Sequence, residues 1–195
     1  MARYNPEKHH RQSIRYDGYD YTAAGAYFVT VCVRWGRCLL GTIKNQEICL
    51  SGAGMIVDDS WRKLTKRFPT IECDAFQLMP NHGHFIIWLN PIRTPVVGSS
   101  LNDDPTGLKR PQWNKNAPAL GEVVRSFKAA ATTEIRFWFP ELRFAWLVNY
   151  WERIIRNDEE LEQYRSYIRN NPLRWTEDQL HPDAPPNPFN QAWKL

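Results

Sequence analysis

The sequence predicts an α+β fold, a ferredoxin-like (RRM-like) antiparallel sheet with helices on one face and an added C-terminal helix that carries a tyrosine. Short runs rich in β-branched and aromatic residues alternate with longer segments whose apolar residues recur at helical spacing. With one short hairpin set aside, the elements follow the order strand, helix, strand, strand, helix, strand, helix. That order is typical of a ferredoxin-like sheet.

Four runs with the composition of β-strands predict the sheet, over residues 27–33, 71–78, 82–89 and 145–155. A separate hairpin is predicted over residues 38–43 and 47–50, with Lys44, Asn45 and Gln46 between its two arms. Met79, Pro80 and Asn81 join the second and third sheet strands. The third strand therefore begins directly after a tight turn.

Three segments predict helices, over residues 54–67, 120–138 and 159–170. Phe68 and Pro69 end the first helix, and the second is amphipathic through regularly spaced apolar residues. Asp158 is predicted to cap the third helix at its beginning. Pro172 ends it, because the residue before a proline avoids helical dihedral angles.

The chain of 195 residues is long enough for one domain with its own core. We predict an N-terminal arm (1–24), a folded domain (25–175) that contains an irregular, proline-containing linker (91–118), and a proline-rich tail (176–195). No run reaches the ~18 apolar residues of a membrane span, and the start lacks the apolar core of a signal peptide. We therefore expect a cytoplasmic protein without membrane contact. Its four cysteines have no C-x-x-C spacing and are expected to be buried, reduced thiols.

The net charge of +4, from 25 basic and 21 acidic residues, does not by itself indicate a nucleic-acid-binding protein. The first fifteen residues are more informative, because they hold four basic residues and one acidic residue. Such an arm could contact phosphates, or it could be a solvated chain end.

His82 and His84 stand at the start of the predicted third strand. Side chains two positions apart in a strand share a face, so both imidazoles can reach one ion. An added oxygen ligand would favour Mg²⁺ or Mn²⁺ and would still admit Zn²⁺. The other interpretation is that one of these histidines is a hydrogen-bonded core residue.

Tyr167 and Asn171 lie four positions apart, on one face of the predicted last helix. The Asn171 amide could bind the same ion while the phenol faces it, and the phenol could then act as a nucleophile. Alternatively, Tyr167 packs in the core and Asn171 caps the helix. Tyr164, three residues earlier, is the competing candidate nucleophile. A phenol with a pKa near ~10 needs a neighbouring cation or base to attack at neutral pH.

These patches and most of the chain between them resemble the REP-associated tyrosine transposases (RAYT), a branch of the single-tyrosine transposases in the HUH endonuclease superfamily. The resemblance extends from about Ser13 to Trp175 and is carried by four ordered blocks. These are residues 19–21 with 25–32 (Tyr-Asp-Tyr and Gly-Ala-Tyr-Phe-Val-Thr-Val-Cys), 79–84 (Met-Pro-Asn-His-Gly-His), 150–157 (Tyr-Trp-Glu-Arg-Ile-Ile-Arg-Asn) and 167–175 (Tyr-Ile-Arg-Asn-Asn-Pro-Leu-Arg-Trp).

The resemblance implies that residues 25–175 form a catalytic domain in which His82 and His84 bind the metal and Tyr167 is the nucleophile. Asn171 stands where the family places a polar third ligand on the same helix. One departure is Gly83, since the family usually has a bulky apolar residue between the two histidines. Because that side chain should point away from the metal, we expect altered packing beneath the strand rather than lost ligation.

The activity implied by the resemblance is a metal-dependent single-stranded DNA endonuclease and strand transferase that forms a 5′-phosphotyrosine intermediate with Mg²⁺ or Mn²⁺. Its substrates would be single-stranded DNA hairpins, REP-like palindromes, bound by a monomer or a homodimer. Charge and position suggest six candidate contacts to the DNA backbone: Arg11, Arg15, Lys109, Arg110, Arg125 and Lys128.

Two other functions stay open on the sequence. A ferredoxin-like sheet with exposed aromatic residues could be a non-catalytic module that binds hairpin DNA or RNA. The histidine pair could also belong to a metal-dependent hydrolase that uses activated water, with Tyr167 structural. A Tyr167→Phe substitution separates this hydrolase from the tyrosine mechanism.

Overall fold

A computed structural model describes residues 24–89 and 118–187 of the chain. The predicted N-terminal arm and linker lie almost entirely outside these residues, as do Arg11, Arg15, Lys109 and Arg110. The strands are β1 (Gly25–Cys32), β2 (Gly41–Lys44), β3 (Glu47–Leu50), β4 (Ile71–Leu78), β5 (His82–Leu89) and β6 (Trp151–Ile155). The helices are α1 (Gly52–Arg62), α2 (Leu64–Arg67), α3 (Leu120–Trp138) and α4 (Asp158–Asn170), and short 3₁₀ helices occupy Arg34–Gly36, Pro140–Leu142 and Asn171–Glu177.

Four strands form one antiparallel sheet in the order β4-β5-β1-β6. With the β2–β3 hairpin set aside, the first and third strands are central and the second and fourth form the edges, as in a ferredoxin-like sheet. The predicted fold class is therefore confirmed. Strands β2 and β3 pair with each other in a separate sheet. Asn45 and Gln46 form their two-residue turn, both at positive φ (50° and 66°), as a hairpin of this length requires.

Alternating side chains of β1 and β5 divide the apolar residues between two faces of the sheet. Tyr27, Val29, Phe85 and Ile87 lie on one face and pack with residues of α1 and α3 in the main core. Residues Ala26, Phe28 and Ile86 lie on the other face, where they pack with Leu161 and Ile168 of α4. His82 and His84 have the same parity as Ile86, so they lie on the α4 face of the sheet.

The last strand is shorter than predicted. It spans Trp151–Ile155, whereas residues 145–150 contribute only one isolated bridge, between Trp146 and Val33. The reason is that Lys128 Nζ on α3 donates to the carbonyl oxygens of Leu147, Val148 and Asn149, at 2.5, 3.2 and 3.2 Å. Carbonyl groups turned towards one ammonium cannot also form a regular strand ladder.

Two helix boundaries also differ from the prediction. Asn157, not Asp158, caps α4, because its side-chain oxygen accepts from the backbone N–H of Glu160 at 2.8 Å. The first predicted helix begins earlier, at Gly52, with the Ser51 hydroxyl as its cap, and it is interrupted at Lys63. Helix α3 has the predicted bounds. The predicted burial of the cysteines is wrong for Cys38 and Cys49, which are exposed, whereas Cys32 is buried and Cys73 partly buried. No helix within the described ranges has the length and apolar character needed to cross a membrane.

Candidate metal centre

His82 and His84 lie at the start of β5, opposite Cys32 and Thr30 of β1. His82 is fully buried and His84 is 3 % exposed, and their Nε2 atoms are 3.0 Å apart. Two imidazole nitrogens this close either share one proton or direct two lone pairs at the same ion. The alternation of side chains along one strand, which the sequence predicted, thus brings the two rings together.

Neighbouring side chains orient both rings. Oδ1 of Asn81 lies 2.7 Å from Nδ1 of His82, and an amide oxygen can only accept a hydrogen bond. His82 therefore carries its proton on Nδ1 and presents an unprotonated Nε2. The Thr30 hydroxyl, which can accept as well as donate, lies 2.8 Å from Nδ1 of His84. Both rings can present Nε2 to a shared ion, in the arrangement typical of metal-binding histidines.

Burial keeps both imidazoles neutral. It lowers the pKa of His84 to about 3. Burial also lowers the pKa of His82 far below its ordinary value, and the neighbouring His84 adds to that effect. The neutral imidazole is the form that binds metals, so the pair is ready to accept a cation without first losing a proton.

Asp178 is a candidate oxygen ligand beside the histidine pair, and the sequence did not indicate it. Its Oδ2 lies 3.7 Å from Nε2 of His82, and its side chain is only 8 % exposed. Ligand atoms of His82, His84 and Asp178 all lie within 4.8 Å of one another, so the group could hold a divalent metal ion. Burial raises the pKa of Asp178, opposed by the Leu180 backbone N–H and the Asn171 amide. Such a desolvated carboxylate is stabilised by a cation.

Asn171, the predicted third ligand, lies beside the same group and is 4 % exposed. Its amide hydrogen-bonds to Tyr167 and Asp178 and thereby lowers the pKa of each. Its Oδ1 is buried and has no hydrogen-bond partner among the described residues. A buried acceptor without a partner is costly, and a bound cation would remove that cost. Two imidazole nitrogens with a carboxylate and an amide oxygen fit a divalent cation.

Tyr167 approaches this group from α4. Its hydroxyl lies 3.5 Å from Nε2 of His84, and its ring meets His84 edge to face, with centroids 5.2 Å apart. Burial raises the pKa of Tyr167 to about 12, and the negative charge of Asp178 adds to this, while the Asn171 amide and Arg174 act in the opposite direction. The phenol is therefore protonated at neutral pH in the absence of a cation.

Tyr164, the competing candidate, lies about one helical turn before Tyr167 on α4. Its ring stacks on Phe28 with centroids 4.6 Å apart, in the apolar layer between α4 and the sheet. Phe28 in turn stacks on His84 at 5.5 Å. Of the two tyrosines, Tyr167 is the one that the fold brings into contact with His84.

Helix α4 is anchored to the sheet by an ion pair. Nε and Nη2 of Arg165 donate to the two carboxylate oxygens of Asp74 at 2.9 and 2.5 Å, and the Trp88 indole donates to the same carboxylate at 3.1 Å. Asp74 occupies the irregular part of β4, between Cys73 and Phe76, where the pairing with β5 shifts. This two-point contact fixes the turn of α4 that carries Tyr167.

The two candidate DNA contacts within the described residues, Arg125 and Lys128, belong to α3, which packs on the sheet face opposite the histidines. Arg125 is exposed. Lys128 instead uses its ammonium group to hold the three carbonyl groups of residues 147–149. This is a structural role that the sequence did not indicate, and it leaves Arg125 as the available cation of the two.

No known family profile matches the sequence. The structure is similar to that of a REP-associated tyrosine transposase bound to a REP hairpin, with a TM-score of 0.51, 21% identity, and coverage of 82% of this chain and 73% of the other. At that identity the likeness establishes a shared transposase fold. A Haemophilus influenzae protein of uncharacterized function is 38% identical over 184 residues, which cover 93% of this chain and 99% of the relative. The chain therefore belongs to the same family as this Haemophilus influenzae protein.

Proposed function

We propose that the chain is a metal-dependent endonuclease and strand transferase for single-stranded DNA, of the HUH tyrosine transposase kind. The observation that carries the proposal is the contact between the Tyr167 hydroxyl and Nε2 of His84 at 3.5 Å, beside a buried group of metal-binding donors. A nucleophile within reach of a metal ligand is the arrangement expected for covalent catalysis of this kind.

His82, His84 and Asp178 would hold the cation, and Asn171 would add its unpartnered oxygen. When bound, a divalent cation supplies Lewis-acid polarisation of a phosphodiester oxygen. Asn81 and Thr30 keep the two imidazoles in orientation, and burial keeps them neutral. Mg²⁺ and Mn²⁺ are the cations we expect.

In the proposed reaction the Tyr167 oxygen forms a bond to phosphorus and the bond from phosphorus to the 3′-oxygen breaks. The phenol loses its proton and the departing 3′-oxygen gains one, so the products are a 5′-phosphotyrosine and a free 3′-hydroxyl. The reverse attack by a 3′-hydroxyl rejoins strands without another energy source. The pKa of Tyr167 is about 12 without a cation, so a cation at the site would have to lower it for the phenol to lose its proton.

We infer that the substrates are single-stranded DNA hairpins resembling REP palindromes. The support is that the structurally similar transposase was bound to a REP hairpin. Arg11, Arg15, Lys109, Arg110 and Arg125 stay the proposed contacts to the DNA backbone. Phosphate contacts of this kind give binding that weakens as salt is raised.

We also propose that Tyr167 acts on its own chain's metal centre, so that a monomer is sufficient. Helix α4 packs on its own sheet through Leu161 and Ile168, and Arg165 binds Asp74 of the same chain. Only Arg156 and Asn157 separate β6 from α4, which gives the helix little freedom to reach a second copy.

The test is incubation with Mn²⁺ or Mg²⁺ and end-labelled hairpins from the DNA flanking the gene, followed by denaturing gels. We expect a covalent protein–DNA band that is lost in Tyr167→Phe and kept in the matched control Tyr164→Phe. A band that survives in Tyr167→Phe and disappears in Tyr164→Phe would assign the nucleophile to the other tyrosine. DNA cleavage by Tyr167→Phe without any covalent band would indicate the water-using hydrolase instead.

The binding-module alternative has less support. RNA-binding ferredoxin-like domains stack bases on an open sheet face. Here α4 covers the face that carries Phe28, whose ring is stacked between Tyr164 and His84. Hairpin binding without any covalent band, in every metal tested, would nevertheless favour that alternative.

A further inference from the structure

Trp35 combines exposure with a strained backbone. It lies in the short 3₁₀ turn after β1 at φ 61° and ψ 18°, in the left-handed region, and it is 54 % exposed. A bulky side chain rarely adopts this conformation, because its Cβ crowds the backbone. Strained residues of this kind concentrate at binding and catalytic sites, so the turn is a candidate for a role beyond connecting two strands.

Backbone hydrogen bonds hold the turn in place on both sides. The Arg34 N–H donates to the Ala145 carbonyl at 2.8 Å, and the Val33 N–H donates to the Asn81 carbonyl at 2.8 Å. The guanidinium of Arg34 lies 4.5 Å over the Trp35 ring, in cation–π contact. The turn therefore presents an aromatic surface and a positive charge together, from a backbone that is fixed.

The turn is directly connected to the metal centre. The Gly36 carbonyl accepts a hydrogen bond from Nδ2 of Asn81 at 3.2 Å, and Oδ1 of the same Asn81 lies 2.7 Å from Nδ1 of His82. A single side chain thus separates the residue after Trp35 from the first metal-binding histidine. This link places the exposed Trp35 near the histidine end of the sheet, where a substrate strand could reach both.

We propose that Trp35 and Arg34 form a stacking platform for an unpaired nucleobase of the DNA strand that enters the metal centre. The inference rests on the proposed function and specifies which part of the substrate is recognised. The indole stacks on the base, and Arg34 is placed to contact the neighbouring phosphate. Because every base has a π-face, the platform selects unpaired over paired nucleotides and is tolerant of sequence.

The test measures binding, not cleavage, and uses the full chain without added metal. Its probe is a fluorescein-labelled single-stranded oligodeoxythymidylate, with the corresponding duplex for comparison, followed by fluorescence anisotropy. The informative variant is Trp35→Gly, because glycine adopts positive φ without strain and removes the ring. Trp35→Phe keeps an aromatic face, and Trp138→Ala removes another exposed tryptophan, at the end of α3, as the matched control.

We expect Trp35→Gly to lose roughly 5- to 150-fold in affinity for the single strand, the range that corresponds to removal of one stacking side chain. Its thermal unfolding midpoint should be equal to or above that of the wild type, which separates loss of binding from loss of fold. Trp35→Phe should keep most of the affinity, and Trp138→Ala all of it. Arg34→Gln should weaken binding and reduce its salt dependence.

A second readout locates the contact on the DNA. Single abasic positions placed along the oligonucleotide should weaken wild-type binding at one position and have no further effect there in Trp35→Gly. Wild-type affinity in Trp35→Gly would overturn the proposal, as would an equal loss in Trp138→Ala. If the wild type shows the expected pattern but forms no covalent product with Mn²⁺, the platform stands and the proposed catalytic function fails.

Discussion

The side-chain oxygen of Asn81 lies 2.7 Å from Nδ1 of His82, while the amide nitrogen of Asn81 donates to the Leu180 carbonyl at 2.7 Å. One fully buried side chain therefore joins the metal centre to the C-terminal segment. Since it determines which His82 nitrogen carries the proton, Asn81 should matter to metal affinity although it binds no metal itself.

We predict that Asn81→Ala lowers the affinity for Mn²⁺ by about 10- to 100-fold, the usual effect of removing the partner of a metal-binding histidine. Isothermal titration calorimetry measures this directly. Ser60→Ala, which removes a buried polar side chain of α1, is the control and should bind Mn²⁺ as the wild type does. Unchanged Mn²⁺ affinity in a folded Asn81→Ala protein would contradict the orienting role.

Asp178 and Asn171 differ in what they should contribute to metal binding. Asp178→Asn removes a negative charge, so we expect it to weaken Mn²⁺ binding more than Asn171→Ala does. A ligand present at 100 times its dissociation constant stabilises the wild type by about 2.7 kcal/mol. Thermal unfolding with and without Mn²⁺ should show that Asp178→Asn loses most of this gain.

In EDTA the same Asp178→Asn protein should be at least as stable as the wild type. Burial raises the pKa of Asp178, which means that the folded metal-free protein holds the charged carboxylate at a cost. If Asp178→Asn retains the full Mn²⁺ stabilisation while Asn171→Ala abolishes it, the ligand set predicted from the sequence is the correct one.

Much of the fold could be predicted from the sequence because its signals are local. The β5 run begins after a proline-containing turn and α3 has an amphipathic repeat, and both elements have the predicted bounds. The predicted length of the last strand was wrong. Carbonyl groups in its first part accept hydrogen bonds from Lys128, which is distant in sequence and lies on another element. The apolar pattern within residues 145–155 does not predict that contact.

In the site, too, local spacing predicts some contacts, whereas contacts between distant elements leave no sequence signal. Spacing within one strand places His82 with His84, and spacing within one helix places Tyr167 with Asn171. The contact between these two pairs depends on how α4 packs on the sheet. Spacing allowed the two pairs to share one ion, and the resemblance to a known family supported that arrangement. Asp178 reaches His82 through the path that the chain takes after the 3₁₀ helix Asn171–Glu177. One of several acidic residues in a proline-rich segment gives no local signal of that path.

The ion pair between Arg165 and Asp74 predicts how stability depends on pH. Hydrogen bonding to Arg165 holds the pKa of Asp74 below its ordinary value. A carboxyl whose pKa is lower in the folded state stabilises fully above its unfolded pKa of about 3.9, and this stabilisation is lost as pH falls through the lower folded value. Asp74→Asn should therefore lower the free energy of unfolding by about 1–2 kcal/mol at pH 7.

The difference between wild type and Asp74→Asn should shrink below pH 4 and vanish when Asp74 is protonated in both states. Urea unfolding at several pH values measures this. Asp58→Asn is the control, since its partner Arg62 lies on the surface of α1 and surface pairs contribute little. A pH-independent difference would mean that packing, not charge, anchors α4 at this point.

Gly83 lies between the two histidines, and its environment predicts the effect of restoring a bulky residue there. A Cβ at position 83 would meet Cδ2 of Leu78 at 3.0 Å and Cγ2 of Val31 at 3.8 Å, in the core beneath the strand. We predict that Gly83→Val destabilises by about 1–3 kcal/mol through overpacking, while Mn²⁺ affinity is unchanged. Urea unfolding and calorimetry measure the two quantities.

The Leu78→Ala substitution removes the atom that the valine side chain of Gly83→Val would meet, so combining the two substitutions provides the control. The loss of stability in this double variant should be smaller than the sum of the two single losses by about 1 kcal/mol or more, because the two side chains share one space. Strict additivity, or a loss of Mn²⁺ binding in Gly83→Val alone, would show that residue 83 affects the ligands rather than the core.

Lys128 and Arg125 allow a structural cation to be separated from a DNA-binding one on the same helix. Lys128→Met leaves the carbonyl groups of Leu147, Val148 and Asn149 without their donor, so it should lower the free energy of unfolding by about 1–3 kcal/mol. Arg125→Met, on the exposed side of α3, should leave stability unchanged. If Arg125 contacts phosphate, its loss should weaken hairpin binding and reduce the slope of log affinity against log salt by about 1. Reduced hairpin affinity in a stably folded Lys128→Met protein would instead assign the DNA contact to Lys128.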